Sequence, residues 1–150
     1  MKFACDFQRT ASTSGTLGSM TADSTRARRL KVYDITIGSE ATPADAAILW
    51  TFQRCTAAGT STGVTPQNLD PADATTEYDA GENHSIEPTY TASAILLNIP
   101  LNQRATYRWV AAPGGELVMP ATAANGFGIQ TDTISTGTPV ITATVHAEEQ

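Results

Sequence analysis

The sequence predicts an all-β fold: a single antiparallel β-sandwich, jelly-roll-like, with an extended N-terminal arm. Three observations carry this expectation. Short segments alternate apolar with polar residues at period two and favour β-branched and aromatic types. Clusters of Gly, Pro, Asn and Asp separate them at roughly 8–15-residue intervals, the spacing of sandwiches and jelly rolls. Charge is sparse: Asp, Glu, Lys and Arg make up 16% of the 150 residues, against about 25% in an average globular domain. A surface of neutral Thr, Ala and Ser suits a β-protein that packs against other subunits.

The elements follow in chain order. Residues 3–7 predict a strand with Phe3, Cys5 and Phe7 on one face. Residues 10–25 are rich in Ser, Thr and Gly, with Leu17 and Met20 as sparse apolar residues, and read as a loop or flexible arm. Residues 29–37 predict the next strand. There Tyr33, Ile35 and Ile37 alternate while Leu30 and Val32 keep the other parity, so a bulge or two-faced burial is expected. Residues 46–56 admit a helix capped by Thr42 with Pro43 in its first turn. The alternation of Ile48, Trp50 and Phe52 and the β-branched content favour a strand.

Residues 57–63 read as a loop, and 64–67 as a short edge strand, since Pro66 lacks a donor. Asp70-Pro71-Ala72-Asp73 starts a turn. Residues 85–91 predict a short strand interrupted by Pro88. Residues 94–101 predict another, with Ile95, Leu97, Ile99 and Leu101 on one face and Pro100 marking an edge or an end. Residues 102–120 read as a hairpin: strand, tight turn, strand. Tyr107 and Trp109 lie on one face of the first strand with Thr106 and Arg108 on the other. Residues 116–119 return antiparallel after Ala112-Pro113-Gly114-Gly115, a type II turn with proline at its second and glycine at its third position. Tyr107 and Trp109 are expected in the core, as is Trp50. A strand over 127–131 and a closing strand over 140–146, with Ile141, Ala143 and Val145 inward, complete the fold. The expected organisation is 1–29 as N-terminal strand and arm, and 30–150 as the sandwich.

The bulk properties narrow the function. A net charge of −6 and a pI near 4.7 oppose non-specific nucleic-acid binding by the whole domain. No run is apolar enough to span a membrane, and residues 1–6 lack the apolar region of a signal peptide. Cys5 and Cys55 fit two reduced, buried thiols; a bridge needs a Cα separation that spacing does not give. Asn83-His84-Ser85 is a glycosylation-like triplet, unused in an intracellular product.

Chemistry-bearing constellations are sparse. His84 and His146 are the two histidines and neither has zinc-ligand spacing. Asp70, Asp73, Glu77, Asp79 and Glu82 form an acidic run without an EF-hand pattern, read as solvated. Neither a nucleophile elbow nor a phosphate-binding loop occurs, so no catalytic, cofactor or metal residues are expected and the chain reads as non-enzymatic. The candidate partner-binding residues are basic: Arg26, Arg28, Arg29 and Lys31, four of nine cations within six positions, together with Lys2 and Arg9. Arginine forms bidentate bonds with carboxylates, so this cluster would dock on an acidic partner; otherwise it is a solvated strand start. Tyr107 and Trp109, if exposed, would instead suggest a sugar-stacking platform.

Residues 48–62, Ile48-Leu49-Trp50-Thr51-Phe52-Gln53-Arg54-Cys55 and the Thr/Ala/Gly/Ser stretch after them, together with 101–116 through Tyr107-Arg108-Trp109 and Pro113-Gly114-Gly115, resemble small structural proteins encoded among the head genes of tailed bacteriophages. The resemblance runs from about Val32 onward. It implies a virion component, foremost a capsid decoration (cement) protein on the capsid exterior, made in the host bacterial cytoplasm. Such a protein would bind the major capsid protein, self-associate as a homotrimer, brace neighbouring capsomers, and need no nucleic acid or membrane. The arm would then order on binding, and its removal would leave the sandwich folded. Another virion part (head–tail connector, tail or head fibre) and a carbohydrate- or host-surface-binding sandwich are the alternatives.

Overall fold

A computed structural model describes residues 1–11 and 13–150. They form twelve β-strands and no helix: β1 (Lys2–Thr10), β2 (Gly15–Ala22), β3 (Leu30–Ser39), β4 (Ala47–Ala57), β5 (Thr60–Val64), β6 (Gln67–Asn68), β7 (Tyr78–Ile86), β8 (Thr89–Asn102), β9 (Tyr107–Val110), β10 (Leu117–Met119), β11 (Gly126–Thr131) and β12 (Val140–Glu149). One sheet runs β10-β3-β12-β1-β6, with β9 also on β3; the other runs β5-β7-β2-β11-β4-β8. Every pairing is antiparallel. We call them sheet A and sheet B.

The topology is that of a long ribbon rolled up. With β5, β6 and β7 set aside as an insertion, β1 pairs β12, β2 pairs β11, β3 pairs β9 and β10, and β4 pairs β8. Each strand of the first half thus meets its counterpart from the second, and rolling brings β12 beside β3 and β11 beside β4. This is the jelly-roll-like sandwich that the alternation predicts. The insertion adds β5 and β7 beyond β2, and β6 beyond β1.

The N-terminal segment departs from expectation most. Residues 15–22 are not an arm. They form β2, hydrogen-bonded between β7 and β11 in the interior of sheet B, and all but Gly15 are buried. β1 lies between β12 and β6, with Phe3, Cys5 and Phe7 buried. The division into arm and sandwich therefore does not hold, because the first 22 residues supply two inner strands. The reason is complementary size: Gly18 lies beneath the ring of Phe7 and Gly128 beneath the hydroxyl of Tyr90. Small residues of β2 and β11 accept aromatic side chains from β1 and β8, so burial occurs without an apolar sequence signature.

Other readings hold or shift for local reasons. β3 carries the expected bulge: Asp34 pairs His146 and Val32 pairs Ala147, skipping Tyr33, so Leu30 and Val32 join Ile35 and Ile37 in the core. Residues 47–57 are strand, not helix, with Ile48, Trp50 and Phe52 buried. Residues 57–63 are not all loop, since Thr60–Val64 pairs with β7. In β8 a bulge at Leu96 turns Ile95 away from Leu97, Ile99 and Leu101, so it pairs with Gln53 and is 46% exposed.

The expected hairpin at 107–119 is absent. β9 and β10 do not pair with each other; both lie along β3, β9 on Asp34–Ile37 and β10 on Leu30–Val32. The turn itself is present: Gly114 has φ +80° and Gly115 N–H donates to the Ala112 carbonyl at 2.8 Å, as a type II turn with Pro113 requires. It loops chain out of one interrupted edge strand instead of reversing it.

The core lies between the sheets. Phe3, Phe7, Leu17, Met20, Leu30, Met119, Phe127 and Ile141 are fully enclosed, and Phe52 stacks on Phe127 at 4.2 Å. Burying each such side chain contributes roughly 1.5–3 kcal/mol. β1 packs over β7, β2 and β5, and β12 over β2. The β6 edge of sheet A therefore lies on the β5–β7 side of sheet B, and β9 and β10 lie on the β8 side.

Candidate functional site

Strand register assembles part of the basic cluster. Lys2 of β1 pairs Glu148 of β12, which pairs Lys31 of β3, so the two lysines flank one carboxylate on the outer face of sheet A. Arg29 adjoins them, its backbone bonded in both directions to Gln150. Lys2 Nζ sits 5.6 Å from the centre of the Tyr33 ring, within cation–π range. Burial, with Asp34 and Glu148 nearby, raises the Tyr33 hydroxyl above its ordinary range.

The other candidates are engaged within the chain. Arg26 pairs with Glu77 at 3.0 Å and Arg28 with the buried Glu149 at 3.2 Å. Glu149 also accepts from Thr76 Oγ1 at 2.5 Å and the Glu77 N–H at 2.9 Å. The acidic run that looked solvated thus supplies Glu77 as a partner of the basic run. Arg9 does not belong to the patch. It lies seven residues along β1 from Lys2, about 23 Å at strand rise, and its guanidinium donates to the carbonyls of Thr16 and Thr13 and to Thr131 Oγ1. Among the described residues, Arg29 and Lys31 make no ion pair, so the docking candidates reduce to Lys2, Arg29 and Lys31, with Arg28 at their margin.

Two polar networks went unseen in the sequence. On the outer face of sheet A, Asp34 takes a bidentate grip from Arg108, at 2.6 Å from Nη2 and 3.0 Å from Nε, with His146 Nδ1 at 3.5 Å. The Arg108 hydrogen bonds, outweighing burial, hold the Asp34 carboxyl below its usual range. At the far end of β2, Glu87 accepts from both the N–H and the hydroxyl of Thr16, and Tyr90 shares that hydroxyl at 2.6 Å. Residues 34 and 108, or 16 and 87, become neighbours only through long-range pairing, so spacing held no signal.

Ser19 Oγ lies 2.9 Å from His84 Nε2, but Ser19 is 2% exposed and His84 Nδ1 has no hydrogen-bond partner. A serine so enclosed, on a histidine without an orienting carboxylate, lacks the geometry of an activated nucleophile. Burial lowers the His84 pKa, with Glu87 opposing and Arg9 assisting. Among the described residues no three His, Cys, Asp or Glu side chains converge as metal ligands. Cys5 and Cys55 are free and buried; Cys5 joins the inter-sheet core, while Cys55 pairs Tyr90 on the opposite side of sheet B. Burial, aided by Asp6 and Glu82, pushes the Cys5 thiol up to about 12, and burial pushes Cys55 up to about 11.

Tyr107 and Trp109 are not full core residues. They point inward opposite Ile37 and Ile35, but at an open edge, where Tyr107 is 40% exposed and Trp109 half-buried. Trp50 is buried as expected. No family model matches the chain, and no curated protein matches it in sequence.

Proposed function

We propose that the chain is a non-enzymatic virion structural protein of a tailed bacteriophage, a capsid decoration protein that binds the major capsid protein on the shell exterior and self-associates as a homotrimer. The jelly-roll-like sandwich agrees with the resemblance that motivates this reading. The observation that carries it is the patch at one end of sheet A, where Lys2, Arg29 and Lys31 gather on an otherwise acidic molecule. Arg29 is exposed and Lys31 half-buried, and such cations suit an acidic capsid surface. Repetition over a shell turns modest single contacts into firm attachment. Lys2 and Lys31 are carried on paired strands of sheet A, so this patch does not depend on the ordering of an arm.

The test is copy number. Quantitative mass spectrometry of purified virions should find this chain in amounts comparable to the major capsid protein. A handful of copies per particle would instead indicate a connector, tail or fibre component. Reversing Arg29 and Lys31 to Glu should lower occupancy on the shell and weaken its salt dependence; unchanged occupancy would remove the patch from the docking surface.

A further inference from the structure

We infer that copies of this chain meet through the flank formed by β8, β9 and β10, and that this flank lines the axis of a closed ring. The ring's size rests on the homotrimer in the decoration reading; the location of the contact rests on charge, exposure and strand-edge chemistry.

Charge is strongly divided along the fold. Residues 88–131 hold Arg104, Arg108 and Glu116, a net of +1; the remaining residues hold seven cations and fourteen anions, a net of −7. The fourteen-residue β8 carries no charge at all. Of the three charges, Arg108 is already neutralised by Asp34. Molecules of net charge −6 repel one another at most orientations, and they meet the least like-charge opposition where charge is sparsest, here with Asp45, Glu116 and Asp132 as the anions at its margins. That favours a second copy of the same chain as the occupant.

Among the described residues the flank also holds three of the five exposed large apolar side chains, the others being Leu69 after β6 and Ile86 at the end of β7. Ile95 is 46% exposed, Tyr107 40% and Val110 56%. Their placement is two-sided. Ile95 sits on the outer face of sheet B beside Thr51, Gln53, Gln130 and Asp132. Val110 pairs with Asp34 on the outer face of sheet A. Tyr107 fills the seam between them. A two-fold contact uses one patch twice, whereas a ring needs two different patches per copy, one for each neighbour. An edge with apolar residues on both sides is built for the second case.

Pro100 defines the mode of contact. It pairs with Leu49, whose N–H and carbonyl both bond to Asp132 on the other side. The backbone of Pro100 therefore faces the open edge of β8, where proline offers no donor. This blocks continuous strand addition along β8, so the copies pack through side chains and sheet B is not extended.

The test is light scattering on the purified full chain after size exclusion. The wild type should have three times the 15.8 kDa chain mass. Ile95→Lys and Val110→Glu should each yield monomer with unchanged circular dichroism. Ile86→Lys, an exposed residue at the β5–β7 side, should leave the trimer intact. Should a charged variant fail to fold, Ile95→Thr and Val110→Thr should weaken association at least about tenfold. A monomeric wild type, or flank variants that remain trimeric, would overturn the inference; a dimer would overturn the ring. Absence of the protein from virions while the trimer still dissociates on Ile95→Lys would defeat the decoration reading and leave the flank assignment standing.

Discussion

Gly18→Ala tests the placement of β2 because its sign depends on where residue 18 lies. In a flexible arm, replacing glycine by alanine is neutral or stabilises by about 0.4–1 kcal/mol, since the unfolded chain loses freedom. In the structure, a Cβ on Gly18 would stand 2.2, 2.3 and 2.7 Å from Cγ, Cδ1 and Cδ2 of Phe7. All three atoms belong to a rigid ring that is 2% exposed, so the ring has little space into which to withdraw. Overpacking of this kind costs about 1–3 kcal/mol. For a chain of this size, each kcal/mol shifts Tm by about 2–4 °C, which gives a drop of roughly 2–12 °C by calorimetry. Phe7→Leu in the Gly18→Ala background should recover part of the loss, and the double-mutant cycle should show a coupling of at least about 0.5 kcal/mol. An unchanged or raised Tm for Gly18→Ala would refute the packing of β2 beneath β1.

Trp50→Ala should cost about 3–5 kcal/mol, because Trp50 is 2% exposed, and Trp109→Ala clearly less, because its ring is half open; denaturant titrations should give these losses in that order. His84 is half-buried with a lowered pKa, so the unfolded chain binds its proton more readily. The stability this imidazole contributes is complete above about pH 6.5 and falls as the pH drops toward the folded pKa. The wild-type Tm should accordingly fall relative to His84→Gln below about pH 6.5, and parallel curves would sink the assignment. Pro100→Thr restores a donor to the open edge of β8 and should increase aggregation on prolonged incubation, read as turbidity at equal Tm.

What was legible in the sequence was the pattern that period two imposes on a half-buried strand. Ile48, Trp50 and Phe52 of β4 and Ile141, Ala143 and Val145 of β12 alternate because one face meets the core. The bulge in β3 was legible as a parity break at Tyr33. β2 was not, because an inner strand lined by Gly18, Ser19 and Thr21 carries no apolar signature; its partners Phe7 and His84 supply the bulk. The collinear β9 and β10 were misread for a related reason. A Pro-Gly turn fixes local geometry, but which strand accepts the flanking segments is decided by β3, more than sixty residues earlier. Among the candidate site residues, the cluster at 26–31 was visible as charge, whereas its neutralisation by Glu77 and Glu149 depends on the insertion and on the end of the chain.

The position of the termini changes how attachment to a partner would work. An arm that orders on binding loses about 1–2 kcal/mol of backbone entropy for each residue fixed, and its affinity is correspondingly modest for the area it covers. Here Met1 and Glu149 exchange hydrogen bonds, with the Met1 ammonium 3.1 Å from the Glu149 carbonyl and the Glu149 N–H 2.8 Å from the Met1 carbonyl. Lys2 and Lys31 are held by strand backbone, and Arg29, just before β3, by its paired hydrogen bonds with Gln150, before any partner arrives. A preorganised patch avoids most of the ordering cost, so contacts of low charge density suffice when repeated in many copies. The same rigidity links the two surfaces: β3 carries Lys31 at one end and pairs with β9 at the other. A ring closed through the neutral flank would thus present its basic patches at fixed spacing, which is the geometry a periodic acidic lattice can select.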